Sequence, residues 1–101
     1  MKIIAVNINK ALASNPRPTI LDATKRAWKL NINRCKDYDY VIGVVNGHIV
    51  GAFSKTTEHQ DSIQPNRVEF NLIPCNPQDD NLIRNYCNNK NLRGITTKYI
   101  H

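Results

Sequence analysis

A chain of 101 residues has room for one domain with a single modest core, burying roughly 65% of its unfolded surface. With 41% apolar and 22% charged residues, it is neither a disordered nor a fibrous sequence. Fourteen Lys and Arg against eight Asp and Glu leave a net charge of +6, which favours a polyanionic partner.

From the N-terminus, Lys2 to Ile8 opens with β-branched residues and then alternates, as a strand with one buried face does. Two prolines in ASNPRP, residues 13–18, stop regular structure and leave Arg17 on an exposed loop. Thr19 is the expected N-cap of a helix, with Asp22 favouring its first-turn amides. Ile20, Ala23, Ala27 and Leu30 keep helical spacing with Trp28 flanking the stripe, while Lys25, Arg26, Lys29 and Lys36 mostly face water. Asn31 and Asn33 weaken the helix, so it bends or restarts there before ending near Asp37.

Tyr38 to Val45 and His48 to Phe53 flank Asn46-Gly47, a dipeptide suited to the positive φ angles of a type I′ hairpin turn. Both strands are nearly continuously apolar, and Gly43 and Gly51 suggest close packing, a bulge or a barrel corner. The polar stretch from Lys55 to Asn66 reads as turn-rich. Arg67 to Ile73 then alternates as a strand with Val68, Phe70 and Leu72 on one side. Pro74 and Pro77 interrupt the chain, Asp79 or Asp80 caps a short helix bearing Leu82, Ile83 and Tyr86, and Gly94 to Ile100 returns to β-favouring residues. The expected fold is α+β over a single domain, residues 1–101: a small, strongly curved antiparallel sheet or partly open barrel packed on one helix of the N-terminal half, with a second short helix.

The cations fall into two groups. Lys25, Arg26, Lys29, Arg34 and Lys36 lie close together, and Arg84, Lys90, Arg93 and Lys98 follow the last acid, Asp80. Glu58, Asp61, Glu69, Asp79 and Asp80 separate them, and a solvated helix face with a basic tail is the plain alternative to a binding site. Trp28 either stacks a base between Arg26 and Lys29 or fills the core, where a lone tryptophan contributes much apolar area. Arg34 would turn towards the sheet on a continuous helix, where it needs a bound anion or a partner such as Asp37, Asp39 or a carbonyl. Of the tyrosines, Tyr38 is the one expected to be exposed, between Asp37 and Asp39.

DATKRAWKLN, Arg34, YDYVIGVVNGHIVGAF, RVEF and LRGITTKYI together resemble a small bacterial and phage module sometimes fused to GIY-YIG-type nuclease domains. The hairpin and following strand are loosely similar to PUA-like and EVE-like barrels that bind RNA or modified bases. The resemblance implies a nucleic-acid module rather than a reaction. YVIG at 40–43 and KYI at 98–100 lack the spacing, and the partner arginine and glutamate, of the nuclease core, so cleavage does not carry over.

Little else suggests chemistry. His48, His59 and His101 permit the acid-base pair of a small ribonuclease, yet nothing in their spacing joins them. His48 at the turn and His59 in a polar stretch read as exposed side chains, and Cys35 reads as a half-buried thiol. Cys35, Cys75 and Cys87 have neither disulfide-framework nor zinc-knuckle spacing, so no metal or cofactor is expected, and a reducing cytoplasm fits. No apolar run approaches the roughly 20 residues of a membrane span. Fourteen Asn and twelve Ile fit AT-rich codons, as in a low-GC bacterium or a bacteriophage. The expected function is a sequence-tolerant nucleic-acid-binding module, RNA before DNA, acting through Lys25, Arg26, Trp28, Lys29, Arg34, Lys36, Arg93 and Lys98, in a phage regulatory or counter-defence role. The rival reading is a module that inhibits a host protein through an exposed hairpin edge, and a small ribonuclease is the third.

Overall fold

The computed structural model describes every residue except Asn15 and Arg17, so the expectation placing Arg17 on a loop lies outside the described residues. The described chain forms strand β1 (Ile3–Asn7), helices α1 (Asn9–Ala13), α2 (Ile20–Lys25) and α3 (Ile32–Cys35), strands β2 (Tyr40–Val45), β3 (His48–Gln60) and β4 (Val68–Pro74), helix α4 (Pro77–Tyr86) and strand β5 (Thr97–Ile100). The strands make one open α+β sheet in the order β4-β3-β2-β1-β5. One central pairing departs from the expected antiparallel pattern: β1 runs parallel to β2, with Ile3 opposite Tyr40. Parallel neighbours need a crossover, and α1 to α3 supply it.

This arrangement explains the apolar runs. β1 and β2 sit in the middle of the sheet and are covered on both faces, so they lack the alternation of a half-exposed strand. On one face Ile4, Val6, Ile8 and Val41 pack with Ala23, Trp28, Cys35 and Phe70 beneath the short helices. On the other, Ile3, Ala5, Ile42 and Val44 meet Ile83 of α4 and Cys87 just after it. Helices therefore lie on both faces of the sheet.

α2 approaches unusually closely because the strands beneath it present glycines. Gly43 pairs with Gly51, and the register shifts between Gly43 and Val44. A Cβ on Gly43 would lie 2.7 Å from Thr24 Oγ1, and one on Gly51 would lie 2.8 Å from Ile20 Cγ2. The expected close packing and bulge both occur here.

Several boundaries moved. The helix expected from Thr19, with a bend or restart at Asn31 and Asn33, stops earlier than that, at Lys25, where the chain turns extended and Ala27 adopts a positive φ of 69°. Trp28 then forms an antiparallel bridge to Val68, and α3 restarts with the Asn31 side chain capping Asn33 and Arg34. β3 continues through Gln60, where a turn-rich segment was expected, because β4 pairs with its distal half. Asn76 rather than Asp79 or Asp80 caps α4, with Pro77 in the first turn. The hairpin edge expected to be exposed is covered, since β1 flanks β2 and β4 flanks β3.

Curvature brings the sides of the sheet together. The backbone N–H of Trp28 donates to Val68 O on β4 at 3.1 Å, and Trp28 also lines a cleft shared with Asn7 of β1 and with Ile95 and Thr96 before β5. Trp28 therefore links β4 to the β1 and β5 side of the partly open sheet.

Asn46 and Gly47 have φ angles of 51° and 81°, as the type I′ turn requires. A Cβ on Gly47 would also lie 2.5 Å from Arg93 Cγ. Gly47→Val is expected to cost about 1–3 kcal/mol through backbone strain, read as a lower urea midpoint, and an unaltered midpoint would refute the turn geometry.

Candidate nucleic-acid interface

The residues singled out in the sequence do not converge on one helix face. Trp28 is a core residue, only 8% exposed, and its Nε1–H donates to Thr24 O at 2.6 Å. The expected stacking of a base on an exposed Trp28 between Arg26 and Lys29 is thereby corrected, because the residue is packed into the core. Arg26 is also committed: its guanidinium donates twice to Asp61, at 2.8 and 3.2 Å, and Asp61 is 2% exposed. That carboxylate further accepts from the amides of Ala27, Ile63 and Gln64. The Arg26 hydrogen bond, reinforced by those amides, holds its pKa well below the usual carboxylate range despite burial.

Arg34 does not point to an acid or a carbonyl. Its guanidinium lies 3.8 Å from the ring centroid of Tyr99, a cation-π stack, on a side chain open to solvent. Tyr38, expected to be exposed, is 4% exposed; it packs on Tyr99 at 4.9 Å and its hydroxyl meets His101 Nδ1 at 3.0 Å. Lys36 is exposed near this aromatic cluster, but so are Asp37 and Asp39. Lys98 lies on the opposite face of β5 from Tyr99, by strand alternation. Lys25 lies 3.7 Å from Asp22, and Lys29 stands exposed after Trp28.

Arg93 sits at the other end of the sheet. Six residues of β2 at about 3.3 Å each separate that end from the tyrosine cluster by roughly 20 Å, so Arg34 and Arg93 cannot belong to one small site. Around Arg93, three concavities adjoin. One of about 340 Å³ is lined by Asn7, Asn9, Lys10, Trp28, Ile95 and Thr96. The next, about 410 Å³, shares Asn7 and Asn9 and adds Asn46, Gly47 and Arg93. A third, about 300 Å³, shares Gly47 and continues along His48, Arg84 and Lys90. The groove follows the carboxyl ends of β1 and β2, where an open sheet with a parallel pair leaves a crevice beside the crossover.

No acidic side chain lines any of the three concavities. Arg84 is anchored by Asp80 at 2.5 Å and by Ile49 O at 2.8 Å, which leaves Lys10, Lys90 and Arg93 as the groove's cations without an ion pair among the described residues. The second basic group was legible in sequence as the acid-free region after Asp80. Lys10 and the asparagines were missed, because their convergence depends on pairing of the first strand with the last.

Other titratable groups are dispersed. His48 is on the groove, His59 lies 3.5 Å from Glu69, and His101 is held at Tyr38. Burial raises the Cys35 thiol pKa and raises that of Tyr99 beside it. Lys55 and Glu58 form a 2.5 Å pair whose side chains are only 5% and 12% exposed; burial opposes the Glu58 charge, but Lys55 prevails and lowers its pKa. Among the described residues no three His, Cys, Asp or Glu side chains gather as a metal site, and no helix is long and apolar enough to cross a membrane. No protein-family model, curated protein or solved structure significantly matches this chain.

Proposed function

We propose that the protein is a nucleic-acid-binding module, RNA before DNA, that lays a single strand along the groove at the carboxyl ends of β1 and β2. The observation carrying this reading is the run of three adjoining concavities lined by Lys10, Arg93 and Lys90 and by no acid. A cationic groove tracks phosphates, and amides at its floor offer donors and acceptors to bases without demanding one sequence. Net charge of +6 steers the encounter.

Binding of a fluorescent single-stranded RNA is expected to weaken steeply as salt rises. Removing Lys90 and Arg93 together, as Lys90→Ala and Arg93→Ala, should flatten the log-log salt slope by about 0.7 per lost phosphate contact. Lys25→Ala with Lys29→Ala should change it less, and Arg26 is kept because its loss would strip Asp61 of its partner. A folded groove variant with wild-type affinity and slope would remove this end of the sheet from the interface.

A further inference from the structure

We infer that the part of the groove between Trp28 and Arg93 is a pocket for one nucleotide, taking an unstacked base in its inner half and a phosphate in its outer half. The inference rests on the nucleic-acid reading for its setting, but its evidence is the internal division of the cleft. The inner concavity, about 340 Å³, is lined by Trp28, Ile95 and Thr96 together with Asn7, Asn9 and Lys10, and is of the size that holds small ligands, about 300–1,000 Å³. The outer concavity, about 410 Å³, brings in the Arg93 guanidinium, whose planar fork fits a phosphate. A nucleotide filling both halves would set its base beside Trp28 and Ile95 and its phosphate beside Arg93.

The seam between the halves is built of oriented amides. Asn7 Nδ2 donates to Ile95 O at 3.1 Å, its Oδ1 accepts from Asn9 N at 3.0 Å, and Asn9 Nδ2 donates to Asn46 Oδ1 at 3.0 Å. The first two bonds fix the orientation of the Asn7 amide, which donates to one backbone carbonyl and accepts from one backbone N–H. Asn9 and Asn46 pair through one amide hydrogen bond, which leaves one amide acceptor and one amide donor of the pair without a partner among the described residues. A neighbouring acceptor and donor form the pattern by which amide side chains read a base edge. Lys10 adds a second positive charge at the rim of the inner half.

Because Trp28 is the only tryptophan and lines the inner concavity, its emission reports occupancy directly. Titration with AMP, GMP, CMP and UMP should give saturable changes, with affinities that differ between bases by about fivefold or more. Arg93→Ala should weaken all four about tenfold, Asn9→Ala should level the differences between bases, and Lys29→Ala should leave both unchanged. Competition by a short RNA bearing a 5′-phosphate would identify the occupant as a strand residue, whereas competition by free nucleotides alone would identify a free mononucleotide. No saturable response to any of the four nucleotides in the folded wild type, or an Arg93→Ala variant that binds them undiminished, overturns the pocket. RNA binding that survives without a nucleotide response refutes the pocket and keeps the groove; a nucleotide response without RNA binding does the reverse.

Discussion

Asp61→Ala is expected to lower the unfolding free energy by about 3–5 kcal/mol, the range for breaking a buried ion pair from one side. This carboxylate receives two hydrogen bonds from Arg26 and three from the backbone amides of Ala27, Ile63 and Gln64. It thereby fastens the extended segment after α2 to the turn between β3 and β4. Truncation leaves a guanidinium and three amides without their acceptor, each lost bond carrying a desolvation cost. Asp61→Asn keeps the shape but sets an NH₂ against donors, so it should recover only part of the loss. Urea unfolding provides the measurement, and a midpoint for Asp61→Ala equal to wild type would show that the bridge carries no stability.

The same residue fixes a pH dependence. Its pKa is lowered by folding, chiefly by Arg26, so its contribution is complete above the ordinary Asp value of about 3.9. It is lost progressively as pH falls from there towards the lower folded value. Wild type should therefore lose stability relative to Asp61→Asn on acidification below about pH 4, and the two curves should run parallel at neutral pH.

Trp28→Ala should be comparably damaging, at about 3–5 kcal/mol, because the indole fills the space enclosed by the curled sheet and the short helices. Trp28→Phe separates the two contributions of this residue. It keeps most of the apolar contact but removes the 2.6 Å bond to Thr24 O, and should cost about 1–2 kcal/mol. Thermal or urea unfolding of both variants tests the assignment; a Trp28→Ala variant as stable as wild type would contradict a core position.

Much of the architecture was legible in the sequence. Asn-Gly with flanking apolar runs specified the central hairpin, Val68, Phe70 and Leu72 specified β4, and β-favouring residues near the C-terminus specified β5. The parallel pairing of β1 with β2 was obscured by a misread signal: IIAV and VIGVV are apolar without alternation, which marks strands buried on both faces rather than a curled antiparallel edge. The break after Lys25 carried no local signal, since Ile20, Ala23, Ala27 and Leu30 keep helical spacing. It is imposed from outside by Asp61 and Val68, a tertiary preference that overrides local propensity.

The candidate site was only half legible. Clustering of cations after Asp80 pointed to Arg93 and Lys90, but the denser group around the helix attracted more weight. Folding commits Arg26 to Asp61, buries Trp28 and stacks Arg34 on Tyr99, so spacing along the chain overstated that group as a surface. Asn7, Asn9 and Lys10 lie far in sequence from Arg93. Only pairing of β1 with β5, Ile3 opposite Ile100, brings them to one end of the sheet.

That pairing also governs how the molecule reaches its native state. β1 has no partner nearby in sequence: one neighbour follows the whole helical crossover, and the other is formed by the last strand of the chain. The β2-β3-β4 meander can zip from adjacent residues, whereas joining β1 to β5 requires closing the long loop from Asn7 to Thr97. Such non-local topology places refolding in about the millisecond-to-second range. During synthesis β1 is made well before β5 and keeps one apolar edge unpaired until Thr97–Ile100 arrives, an interval in which that edge is open to pairing with another chain.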